Sequence, residues 1–117
     1  TYTMSFSETL IKRRAALIEA QLSFEAAELE FATKKAEAIG RVMEKLGKDF
    51  GSNQEQRDRN LAIHLPKDEI YNISLKFYTE VKRMYLYAKA ELDNVLDARR
   101  DYENTIRAEG KYGNADL

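Results

Sequence analysis

Residues 15–50 read AALIEAQLSFEAAELEFATKKAEAIGRVMEKLGKDF, a run without proline in which Ala, Leu, Glu and Lys dominate. Ala15, Leu22, Leu29, Ala36, Met43 and Phe50 recur at seven-residue steps. Ile18, Ala32, Ile39 and Leu46 occupy the matching second position, with Glu25 the exception. Steps alternating between three and four residues keep side chains on one stripe of a helix, and two such positions per heptad make a coiled-coil-like seam. A second apolar row, Leu10, Leu17, Phe24, Phe31 and Ala38, runs along a different side, flanked by Ala20 and Ala27. A helix with two apolar rows must bury both, and one partner helix covers only one well. The regular seam is expected to meet the rest of the chain. Leu10, Leu17, Phe24 and Phe31 are then left as a protein interface.

Upstream, Ser5-Phe6-Ser7-Glu8 fits a capping box that starts the helix. Downstream, Gly47 and Gly51 offer places for it to end, giving a first helix over 5–49. A connecting segment over 50–66 follows. Within it, Ser52-Asn53-Gln54-Glu55 predicts a short helix through His64, and Pro66 disfavours helical geometry at Leu65. Asp68 and Glu69 suit the positive end of a second long helix over 67–108. Its seam is Tyr71, Ser74, Tyr78, Val81, Tyr85, Ala88, Leu92, Val95, Arg99, Tyr102 and Ile106. Gly110 and Gly113 close it, and residues 109–117 read as a frayed tail. The two long helices have roughly 42 to 44 residues each, about 65 Å apiece, so they can match along their whole run. The fold class is therefore all-α: one domain over 1–117, a long antiparallel hairpin with a short connecting helix. A thin hairpin with an uncovered row is expected to self-associate, as a homodimer in a four-helix arrangement.

Composition narrows the function classes. The 117 residues carry 19 Lys and Arg against 20 Asp and Glu, a formal net charge of −1, which speaks against a strongly basic nucleic-acid binder. Without cysteine there is no disulfide framework and no thiolate metal site. No stretch approaches the roughly 20 apolar residues of a spanning helix, so no membrane partner is expected. Thr1-Tyr2-Thr3-Met4 does not look like a signal peptide, and a cytoplasmic location is the default. Met4 is an alternative start, with Thr1 to Thr3 left over from cloning.

Constellations that carry a reaction are missing. His64 stands alone in the connection, no Glu-x-x-His pair projects inward as in di-iron bundles, and no Gly-rich phosphate loop or nucleophile elbow occurs. No catalytic residue, metal ligand or cofactor is expected, and the chain does not read as an enzyme. Glu25 reads as a register-setting polar residue and the tyrosine row as core. A competing site is a basic patch at the terminal end of the hairpin. There antiparallel pairing brings Lys12, Arg13 and Arg14 towards Arg99, Arg100 and Arg107, a possible contact for nucleic-acid phosphates. Glu8, Asp97, Asp101, Glu103 and Glu109 are interleaved there, as in surface ion pairs.

The junction Gly51-Ser52-Asn53-Gln54-Glu55-Gln56-Arg57, a Gly-x-Asn-x-x-x-Arg stretch between two long helices, resembles a family of small all-helical proteins encoded by phages and prophages. Asp68, Tyr71 and Arg99-Arg100-Asp101 extend the likeness. The resemblance implies a non-enzymatic structural or adaptor role in the cytoplasm of a bacterial host, through helix-mediated contact with a host or phage protein. Phage DNA metabolism or counter-defence is the implied setting, and the family carries over no catalytic residue. The tail Tyr112-Gly113-Asn114-Ala115-Asp116 is similar to that of small secreted helical hairpins of the Trp-x-Gly type. The chain has no tryptophan, and Phe50-Gly51-Ser52 is a poor substitute for their turn.

Overall fold

In a computed structural model, which describes residues 5–115, the chain is an all-α helical hairpin without a strand among the described residues. Helix α1 spans Phe6–Leu46, α2 Gln54–His64 and α3 Glu69–Ala115, with 3-10 turns at Gly47–Phe50 and Leu65–Lys67.

Helix α1 begins where the capping box predicts, with the Ser5 hydroxyl accepting from the Glu8 amide at 3.2 Å. It ends at Leu46 because Gly47 adopts φ 53°, the left-handed conformation that terminates helices. The cap of α2 sits one residue later than the Ser52-based box. Asn53 Oδ1 accepts from the Gln56 amide at 2.9 Å, and Gln56 Oε1 accepts from the Ser52 amide at 3.0 Å.

Helix α3 starts at Glu69, two residues after the predicted start, because Asp68 is its cap. Asp68 Oδ1 accepts from the Tyr71 amide at 2.8 Å. The predicted end at residue 108 is corrected as well, and with it the frayed tail over 109–115, since α3 continues through Gly110 and Gly113 to Ala115. A glycine inside a helix costs about 1 kcal/mol, which weakens a helix but does not stop one. Thr1–Met4, Asp116 (part of the tail signal noted above) and Leu117 lie outside the described residues.

The chain forms two compact units, Thr1–Gln21 with Met84–Leu117 and Leu22–Arg83. In the first, Phe6 meets Tyr102 at 5.6 Å between ring centres and Arg13 meets Glu91 at 3.1 Å, so α1 and α3 run antiparallel. Leu10 is the buried apolar residue on that face. In the second unit, Phe31 lies between Tyr71 and Tyr78, at 5.8 and 5.0 Å, and Phe24 stacks on Tyr78 at 5.8 Å. Four rings from two helices thus form one continuous ladder, the kind of contact that adds to simple area burial. Towards the turn, Ala38, Val42, Phe50 and Leu65 form the core, with Ile39, Leu46, Leu61 and Tyr71 against it.

Arg41 ties α1 to the start of α3 with a bidentate pair, Nε to Asp68 Oδ2 and Nη2 to Oδ1, both 2.8 Å. The guanidinium, and after it the Tyr71 amide, hold the Asp68 carboxyl at about 2, below its ordinary 3.8. A carboxylate whose pKa is lower folded than unfolded stabilises the fold above its unfolded pKa and stops doing so as pH falls through the folded one. The thermal midpoint should therefore fall between about pH 4 and pH 2. In Asp68→Asn that part of the fall should be missing, and a pH series of melting curves read by circular dichroism checks it.

Candidate interaction site

The row predicted to remain free is the row that folds the hairpin. Leu10 is 7% exposed, Leu17, Phe24 and Phe31 are half-buried, and Phe24 and Phe31 carry the ring ladder. The interface assigned to Leu10, Leu17, Phe24 and Phe31 is thus corrected: α3 already covers it. Burial free energy follows apolar area, so the row with two phenylalanines gains more from a tyrosine-lined partner than the more regular row of Ala15, Leu22, Leu29, Ala32 and Ala36. Glu25 adds to the bias, because turning the regular row inward would take its carboxylate out of water.

The regular row accordingly faces outward. In the second unit Leu22 and Leu29 are 61% and 74% exposed, with Glu25 exposed between them and Ala32 and Ala36 exposed beyond them. Lower on the same row Ile39 and Leu46 are packed on the core near the turn, while Met43 between them stays 48% exposed. In the first unit Ile11, Ala15 and Ile18 are exposed on the same row. On a heptad repeat the two rows of α1 point about 150° apart, so α3 cannot reach both.

Helix α3 has a matching division. Tyr71, Ser74, Tyr78 and Val81 of its predicted seam are half-buried in the second unit, as are Tyr85, Ala88, Leu92 and Val95 in the first. Ile70, Ile73 and Phe77 stay exposed in the second unit and Met84 and Tyr87 in the first. An apolar groove of about 240 Å³ runs beside the ring ladder, lined by Ala27, Glu30, Phe31, Ile73, Ser74 and Phe77.

The helix register does not set the basic residues directly opposite one another. Arg13 reaches Glu91 rather than Arg99, which places Lys12, Arg13 and Arg14 about eight residues, or roughly 12 Å, along α3 from Arg99. The cause is register: α1 starts opposite Tyr102, and α3 runs on past it. Arg99 instead bonds Glu103 at 3.2 Å along its own helix, and Arg100 lies 3.8 Å from Asp97. Lys12, Arg14 and Arg107 are exposed.

The junction has a structural job. Gly51 holds φ 126°, Asn53 caps α2, and the Arg57 guanidinium donates to the carbonyls of Gly51 and Ser52 at 3.3 and 3.5 Å. Asn60 closes the loop from the other side, its amide donating to the Phe50 carbonyl at 2.7 Å. The three fixed residues of the Gly-x-Asn-x-x-x-Arg stretch are therefore a turn-forming set. His64 is half-buried beside Arg41, Lys45, Lys67 and Asp68 around a cavity of about 120 Å³. Among the described residues no group of three or more His, Asp or Glu is placed to hold a metal ion, and no helix is long and apolar enough to cross a membrane.

Comparison with protein-family models, curated proteins and solved structures finds no match to this chain. The outward rows are the feature on which a functional reading can stand.

Proposed function

We propose that the protein is a non-enzymatic structural or adaptor protein that works by presenting the outer row of α1 to another helix. One observation carries this reading: Leu22 and Leu29, on a row with coiled-coil spacing, stand 61% and 74% exposed while α3 occupies the opposite side of the same helix. Isolated exposed apolar residues are common, but a contiguous helical stripe of them marks an interaction surface. The spacing selects the partner's form, because alternating steps of three and four interlock with a second helix. The likeness of the junction to phage-encoded helical proteins supports a phage setting, with a host or phage protein, or a second copy, as partner.

The test is the double variant Leu22→Glu/Leu29→Glu. Both side chains already meet water, so the melting midpoint of dilute protein should move little. Association measured by sedimentation velocity, with itself and with helical partners taken from the host, should be lost. A double variant that keeps every association of the wild type would overturn the reading.

A further inference from the structure

The outer row has one asymmetry that selects its occupant. In heptad terms Leu22, Leu29 and Ala36 are first-position residues, and Glu25, Ala32 and Ile39 second-position residues. Each seam is bordered by two flanks. On one flank lie Ala26, Thr33 and Gly40, all small and all exposed. On the other lie Glu28 and Lys35, one heptad apart, exposed, and forming no ion pair among the described residues.

We propose that the occupant is a second copy of this chain, its α1 laid antiparallel on the first about a two-fold axis near residues 30 and 31. This rests on the reading of the outer row as a helix-docking surface and adds the identity, direction and register of the partner. In an antiparallel pair, like flanks face each other, and a first-position residue sits opposite a second-position residue. With Leu29 opposite Ala32 of the second copy, Glu28 comes opposite Lys35 of that copy, and the two-fold axis repeats the pair. Opposite charges on such flanks set partner choice and register.

Neighbouring arrangements lack this match. Sliding the second copy one heptad in one direction sets Glu28 against Glu28, and in the other direction Lys35 against Lys35. A parallel pair brings Glu28 and Lys35 towards the small flank, against Thr33 and Gly40. The small flank has its own part in the chosen register, because Ala26 opposite Thr33 lets the two backbones approach closely. Glu25 falls opposite Ala36, which leaves its carboxylate room to reach the rim. The pairing of large Leu29 with small Ala32 fills each layer once from each copy.

The experiment is a charge exchange read by sedimentation equilibrium. The wild-type chain of 13.5 kDa should sediment as a dimer at micromolar concentration. Glu28→Lys alone and Lys35→Glu alone each turn two attractive pairs into two repulsive ones, and each should weaken the dimer by tenfold or more at low salt. The double variant Glu28→Lys/Lys35→Glu restores opposite charges in the same register and should return to within a few-fold of the wild type. Circular dichroism on each variant confirms the helix content. Direction is read separately by adding one cysteine to this cysteine-free chain. Mixed Leu29→Cys and Ala32→Cys chains should cross-link to each other in the antiparallel dimer, whereas a parallel one would join each only to its own kind. A wild-type monomer, or a double variant no tighter than the singles, overturns the second-copy assignment. Association that ignores the charge exchange but is abolished by Leu29→Glu overturns the register and leaves the outer row standing. Association that ignores both overturns the row as well.

Discussion

Replacing Gly51 with alanine should lower stability by on the order of 3 kcal/mol, a fall in the thermal midpoint of about 10 °C or more for a chain of this size. Gly51 holds φ 126° and ψ 149°, a combination that is essentially restricted to glycine. Space is short as well. A Cβ there would stand 2.7 Å from Gln56 Cβ and 3.2 Å from the Arg57 amide nitrogen. Both neighbours belong to the first turn of α2, and Gln56 also accepts from the Ser52 amide and hydroxyl, so moving it loosens the cap. The expected damage spreads to the core, since Asn60 holds the Phe50 carbonyl and Phe50 is buried against Ala38, Val42 and Leu65. Gly40 is the internal control. It lies inside α1 with nothing within 4 Å of an added Cβ, so Gly40→Ala should raise stability by up to about 1 kcal/mol. Opposite signs at two glycines eleven positions apart, measured by urea unfolding, distinguish a conformational requirement from a general glycine effect. Equal signs would show that the Gly51 turn relaxes freely.

The all-α hairpin was legible because its signals are local. Helix-forming composition, seven-residue spacing and the Ser5 cap each act within a few residues, and α1 and α2 start within a residue or two of the positions these signals mark. The expectation at Pro66 is corrected: Leu65 before it keeps helical φ −57° and ψ −44°, and the pair continues as a 3-10 turn. The end of α3 was less legible, because a glycine lowers helix propensity without forbidding a helix and tertiary context decides the outcome. The inward side of α1 was misread for a different reason. Regular spacing identifies a stripe that can pack, but which of two stripes does pack depends on the area and shape of what lies opposite. Tyr71 and Tyr78 stand one heptad apart on α3, and so do Phe24 and Phe31 on α1. That matched aromatic spacing was present in the sequence and is the signal that would have paired these faces. The offset between the basic residues could not be read at all. It depends on how many residues the turn between Gly47 and Asp68 consumes, and a shift of eight residues there moves Arg99 away from Arg13. The outer row was therefore found as a pattern and misassigned as a face.

Phe31→Ala should destabilise the monomer by about 3 kcal/mol, whereas Leu29→Ala, two residues away, should change it by less than about 0.5 kcal/mol. Phe31 touches both Tyr71 and Tyr78, with rings nearly parallel at 9° to the latter, so truncation opens the middle of the ladder and leaves both tyrosines with a wet face. The value sits at the low end for a phenylalanine because the ring is half-buried and water can enter the space beside Ala27 and Ile73. Leu29 is 74% exposed, so its truncation removes little buried area. Measurement in protein diluted below any self-association isolates the monomer term, because association adds stability that depends on concentration. At higher concentration the order of effects should change: Leu29→Ala then loses the stability that assembly contributes, while Phe31→Ala keeps its deficit at every concentration. A Leu29→Ala deficit as large as that of Phe31→Ala in dilute protein would mean that the outer row is packed within a single chain. The division of α1 into a folding face and a docking face would then fail.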